Sequence, residues 1–199
     1  MIAFYEQTHL YVFNISHYCE KARWALDHFG IAHEVRHVMV GTHRRLAKKL
    51  GAKRGSVPFL QTHDDVIAGS DAILDWCESQ PKSRPLTLVG KDSEQVRAIE
   101  KRLDDVLGVH VRRYFYSDAL INSPELVRPL FSNGLPLWQR AAVTVGWSRI
   151  VPIMIKLMDL GPPRDKNHWQ SWNKNWLGAT VCCLTADRIF AATSGRAQI

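Results

Sequence analysis

Residues 9–26, HLYVFNISHYCEKARWAL, decide the fold of the N-terminal half. The first six are rich in β-forming side chains. From Tyr18 the apolar residues Tyr18, Ala22, Ala25, Leu26 and Phe29 recur at helical spacing, and Gly30 is a C-terminal stop. A strand therefore runs straight into a helix, with Ser16-His17-Tyr18-Cys19 at the join. Cysteine in place of Ser16 would make the run a Cys-x-x-Cys redox pair. With a hydroxyl there, disulfide chemistry is lost and a hydrogen-bond donor remains at a helix start.

Working outward, IAHEVRHVMV (31–40) alternates as a half-buried strand, and Arg44 to Leu50 suits a short helix. VPFLQT and VIAG make two short strands around a turn at His63-Asp64-Asp65, and Ser70 opens a helix through Cys77. The order is βαβ, helix, ββ, helix, an α/β domain over 1–78. Within it His33-Glu34-Val35-Arg36-His37 matches the zinc-protease pattern H-E-x-x-H. That chemistry needs a helix, whereas on a strand the two histidines stand about 13 Å apart, so no metal is predicted. The breaker-rich SQPKSRP (Ser79 to Pro85) belongs to a linker over 79–90. Beyond it the strand signals fade. Ser93 to Phe115 and Pro136 to Leu160 are long helical patterns, the second with a kink expected at Pro152. Trp169, Trp172 and Trp176 form a helical stripe, which predicts an all-helical domain over 91–199.

The chain has 199 residues, 46% of them apolar, enough for a core of ordinary size. Cys19, Cys77, Cys182 and Cys183 have no paired spacing that suggests a disulfide framework, which predicts a reducing, cytoplasmic setting. Arg140, Arg149 and Lys156 interrupt the longest apolar stretch, so no membrane span is expected. The net charge of +7 is concentrated in HRRLAKKLGAKR (43–54), which holds six Lys or Arg and no acid. This is either a solvated helix face or a field that draws in a small anion. The tryptophan stripe reads as a core face, so no nucleic-acid partner is predicted, and the adjacent Cys182-Cys183 reads as buried structure.

Three motifs in order, SHYCEKARWAL (16–26), GSVPFL (55–60) and GSDAILDW (69–76), resemble the glutathione S-transferases. The resemblance implies a thioredoxin-like first domain, βαβ-α-ββα, and an all-α helical bundle as the second, here shorter than usual for the family. It implies a cis Pro58 that exposes the backbone of Val57 to the cysteinyl unit of glutathione. Ser70 and the helix amides behind it would hold the γ-glutamyl carboxylate, although Ser70 also suits a helix cap. Asp71 would stand in for the Glu or Gln that the family usually has at the position of Gly69. Lys53 and Arg54 lie where cations meet the glycyl carboxylate. Ser16 would donate a hydrogen bond to the glutathione sulfur, and His17, Tyr18, Cys19 and Tyr114 would form the pocket rim, with a buried packing role open to Cys19. In the second domain Thr185 and Asp187 stand one residue too close for the family's S/T-x-x-D capping box. The activity implied is transfer of the glutathione thiolate to small hydrophobic electrophiles by a cytoplasmic homodimer. The alternatives are a non-catalytic binding or interaction protein of this fold, and a glutathione-dependent thiol reductase.

Overall fold

The computed structural model describes residues 8–80 and 91–160, the side chains of 91–93 excepted. Strand β1 (Thr8–Val12) leads through helix α1 (His17–His28) to β2 (His33–His37), which pairs parallel to β1. Helix α2 (His43–Leu50) precedes the hairpin of β3 (Phe59–Gln61) and β4 (Val66–Ala68), and α3 (Ser70–Glu78) closes the unit. The sheet order is β2-β1-β3-β4, with β3 antiparallel to both neighbours. This is the thioredoxin-like arrangement, and the H-E-x-x-H segment is strand β2.

Alternation along the strands divides the core. Leu10, Val12 and Leu60 face α1 and α3, where they bury Cys19, Ala22, Ala25, Leu26, Ile73 and Cys77. Tyr11 and Phe59 turn to the other side, stack at 4.7 Å and pack against Ala47 of α2. Helix α2 thus buries one apolar stripe and leaves Arg44, Arg45, Lys48 and Lys49 in solvent.

The second region is helical: α4 (Lys91–Arg102), a π-helical turn (Leu103–Leu107), α5 (Gly108–Asn122), α6 (Pro124–Ser132) and α7 (Leu137–Leu157). The helix expected over Ser93–Phe115 is broken by the π turn and runs on to Asn122. Pro152 lies inside a continuous α7. Helix α6 was not legible, because Pro129 within it reads as a breaker, while Pro124 occupies the first helical position that suits proline. Tyr116, Phe131, Val143 and Trp147 form the centre of this core, and Phe13, Ile15, Met39 and Val40 of the first unit pack onto it. Linker residues 81–90, the tryptophan stripe, Cys182-Cys183, Thr185 and Asp187 lie outside the described residues. No described helix is long and apolar enough to cross a membrane.

Candidate functional site

The pairing register gathers three loops at one end of the sheet. Tyr11 pairs with Phe59 and Phe59 with Ala68, so the exit of β1, the entry to β3 and the exit of β4 lie side by side. At about 4.8 Å per strand, the segments leading to Ser16, from Val57 and Pro58, and through Gly69 to Asp71 span about 10 Å.

Ser16 is the N-cap of α1 in extended conformation, and its carbonyl accepts the Cys19 and Glu20 amides at 2.9 and 3.1 Å. Its side chain makes no capping bond to the helix. Cys19 lies inside the core with no exposure, not on a rim. Burial pushes its thiol up against the opposing pull of the Ser16 hydroxyl and the Phe13 backbone. Buried in this way, Cys19 is a packing residue with little thiolate at neutral pH.

The Val57–Pro58 peptide is cis, and the Pro58 carbonyl accepts the Gly69 amide at 3.0 Å. That bond ties the turn before β3 to the start of α3. Ser70 is the first helical residue rather than the cap. The cap position is held by Gly69 at φ 109°, ψ 143°, a backbone region that residues with a Cβ rarely enter. Ser70 is buried, whereas Asp71, in the first turn, pairs with Arg54 at 3.3 Å across an exposed surface. Lys53 is exposed.

His17 and Tyr18 lie under the start of α5. The Gly108 amide donates to the Leu103 carbonyl five residues back, so it does not reach the Asp104 carbonyl as it would in an α-helix. The Tyr18 hydroxyl donates to that Asp104 carbonyl at 2.7 Å. A Cβ on Gly108 would come within 2.6 Å of Tyr18 Oη and 3.1 Å of His17 Nε2, so only glycine allows this approach. Burial, then the Arg112 charge, hold the His17 pKa below the usual histidine value. Lys21 of α1 bridges Glu100 at 2.7 Å and Asp104 at 2.6 Å, which fixes the two regions together.

The sequence reading thus reaches Ser16, Val57, Pro58, Ser70, Asp71 and Arg54, which share one sheet end. Tyr114 is 64% exposed, and Tyr116, two residues on, is the one turned into the core. Reasoning from sequence missed Lys21, Gly108 and Arg112. The signal was the spacing Gly108, Arg112, Tyr116, one helical stripe at four-residue intervals. Among the described residues no cluster of three His, Cys, Asp or Glu is placed to hold a metal.

Comparison with known proteins agrees with this geometry at the level of fold. Residues 10–85 match the family described as "Glutathione S-transferase, N-terminal domain". No curated protein matches the chain. Among solved structures, the beta-etherase LigF from Sphingobium sp. strain SYK-6 superposes with a TM-score of 0.53 at 18% identity, over 89% of this chain and 72% of that one. Glutathione transferase GSTFuA3 from Phanerochaete chrysosporium gives 0.51 at 17% identity, over 86% and 70%. GSTFuA2 from the same organism gives 0.50 at 20% identity, over 87% and 71%. At such identities the likeness is one of fold, whereas the family match falls on the segment that carries Ser16, the cis Pro58 turn and Ser70. Residues 10–85 thus match the glutathione S-transferase N-terminal domain, and together with the helical region that follows they share the fold of these solved structures.

Proposed function

We propose that the protein is a glutathione transferase that activates the glutathione thiol for attack on small hydrophobic electrophiles. One observation carries the reading: the Ser16 end of α1, the cis Val57–Pro58 turn and the start of α3 converge at one sheet end. Each has one part of the tripeptide to bind. The Val57 backbone takes the cysteinyl unit. Ser70 and the α3 amides take the γ-glutamyl carboxylate, with Asp71 beside them for the amine. Arg54, with Lys53 near it, takes the glycyl carboxylate. Ser16 donates to the sulfur, because a serine hydroxyl without a base beside it is a poor nucleophile but a good donor to a held anion. The thiol proton passes to water. The sulfur electron pair then forms the bond to carbon while the leaving group departs with its own pair. The protein works without a metal, as a homodimer in the cytoplasm, on glutathione and an electrophile rather than on nucleic acid or a membrane. The thiol-reductase alternative lacks an attacking group, since Ser16 stands in its place and Cys19 is buried.

The test is retention on immobilised glutathione with elution by free glutathione, followed by turnover of 1-chloro-2,4-dinitrobenzene. Binding with turnover above the buffer rate is expected. Ser16→Ala should cut that rate by roughly 10-fold to 1000-fold, the scale of one lost donor to an anion, and leave glutathione affinity nearly unchanged. Failure to bind at millimolar glutathione removes the reading, and binding without turnover favours the non-catalytic alternative.

A further inference from the structure

Arg112 is a cation set between the two regions with no acid paired to it among the described residues. Its Nε is closed off from solvent and meets no acceptor among those residues. Its place follows from its neighbours on the same helical stripe. One turn before it, Gly108 lies against Tyr18 Oη and His17 Nε2. One turn after it, Tyr116 packs on Phe131 at 5.9 Å, and Phe131 in turn meets Phe13 at 6.4 Å. The stripe thus contacts the chain on both sides of Ser16, at residues 17 and 18 and, through Phe131, at residue 13. Arg112, in the middle, overlies the N-terminal end of α1. Tyr116 also senses the charges of both Cys19 and Arg112, which agrees with that position.

The charges around this point favour an anion. From α1 come His17, held neutral by burial and Arg112, the protonated Tyr18, the buried Cys19 and Lys21. From the π turn come Asp104, already bound to Lys21 at 2.6 Å, and Asp105, which lies within reach of Lys101 at 2.5 Å. From α5 come Arg112 and the neutral Tyr116. The first region adds His37 and His43, both held low by burial. Each of the two acids has a lysine partner, whereas Arg112 is charged and unmatched among the described residues, beside a helix N-terminus that itself favours negative charge.

We infer that Arg112 is a second catalytic residue, whose guanidinium faces the sulfur position over Ser16 and holds glutathione as the thiolate. The inference rests on the glutathione reading above and assigns to Arg112 the charge that Ser16, a neutral donor, lacks. Ionisation breaks the S–H bond, leaves its electron pair on sulfur and releases the proton to water.

The test is Arg112→Gln, with Arg112→Lys as the charge-retaining variant, in the full chain. Glutathione binding is measured by calorimetry, thiolate by its ultraviolet absorbance, and kcat/KM for 1-chloro-2,4-dinitrobenzene across pH. Loss of an adjacent cation should raise the apparent pKa of bound glutathione by about one unit in Arg112→Gln. Below that pKa the thiolate fraction falls about tenfold, and the greater nucleophilicity of the more basic thiolate recovers about threefold, so kcat/KM drops roughly three- to fourfold. Above both pKa values, where both proteins hold full thiolate, the deficit should reverse to a rate about threefold above the parent's, and Arg112→Lys should restore most of the parent profile. A merely structural role would lower the rate at every pH without moving the pKa. If the variant binds glutathione with an unmoved thiolate pKa, the inference fails and the transferase reading stands. It fails in the same way if only the KM of an anionic electrophile changes. If the parent protein does not bind glutathione, both fail together.

Discussion

Replacing Gly69 with alanine tests whether the start of α3 is built on a backbone conformation that only glycine supports. At φ 109°, ψ 143° a residue with a Cβ is strained by about 1–3 kcal/mol. The new Cβ would also overlap the Asp71 carboxylate and lie 2.8 Å from Arg54 Nη1, so the Arg54–Asp71 pair must open. That pair is exposed on both sides and contributes about 0–1 kcal/mol. Against these costs, alanine restricts the unfolded chain and returns about 0.4–1 kcal/mol. The net expectation is a loss of about 2 kcal/mol, or about 4–8 °C in Tm for a chain of this size. Urea and thermal unfolding followed by circular dichroism measure it. Gly30→Ala is the control: Gly30 also has a positive φ, 64°, but a Cβ there meets nothing within 4 Å. It should cost clearly less, which separates strain with collision from strain alone. A Gly69→Ala protein within about 0.5 kcal/mol of the parent, the ordinary range of neutral surface changes, would refute the argument. Gly69→Glu shares the backbone cost, so an acidic side chain cannot be added at this position without it.

Two further predictions concern α1. Lys21→Met leaves Glu100 and Asp104 facing each other without their cation, and because 22% of the lysine side chain is exposed the cost should be about 2–4 kcal/mol rather than that of a fully buried pair. Burial alone would lower the Lys21 pKa, but the hydrogen bonds that its ammonium donates to Asp104 and Glu100 raise it overall. Its contribution is therefore complete below the unfolded value near about 10.4 and fades as pH rises through the folded one, so the variant should lose that alkaline dependence. Equal stability of parent and variant in urea at neutral pH would count against this junction. Ser16→Cys creates Cys-x-x-Cys with a new thiol at the N-cap of α1, where its pKa should fall, opposite the buried Cys19 whose thiol is pushed up. The variant should lose conjugation and gain turnover on a glutathione mixed disulfide. Absence of a reactive thiol at neutral pH by alkylation kinetics would show that position 16 does not lie at the sulfur.

The sequence by itself determined the local elements and the motifs they carry. Alternation put His33–His37 on a strand, helical spacing and a breaker bounded α1, and the three motifs marked Ser16, Pro58 and Ser70, because each depends on residues within a few positions of one another. Tertiary structure decided what comes from distant contacts. Cys19 is interior because α3 and the sheet cover it, the Gly69 conformation follows from its bond to the Pro58 carbonyl, and Ser70 is thereby the first helical residue instead of the cap. The π turn at Leu103–Leu107 has no signature in the local sequence. Its effect is felt 86 residues away, where the Tyr18 hydroxyl donates to the Asp104 carbonyl, the Lys21 ammonium pairs with the Asp104 carboxylate, and Gly108 lies against Tyr18 and His17 at the start of α1.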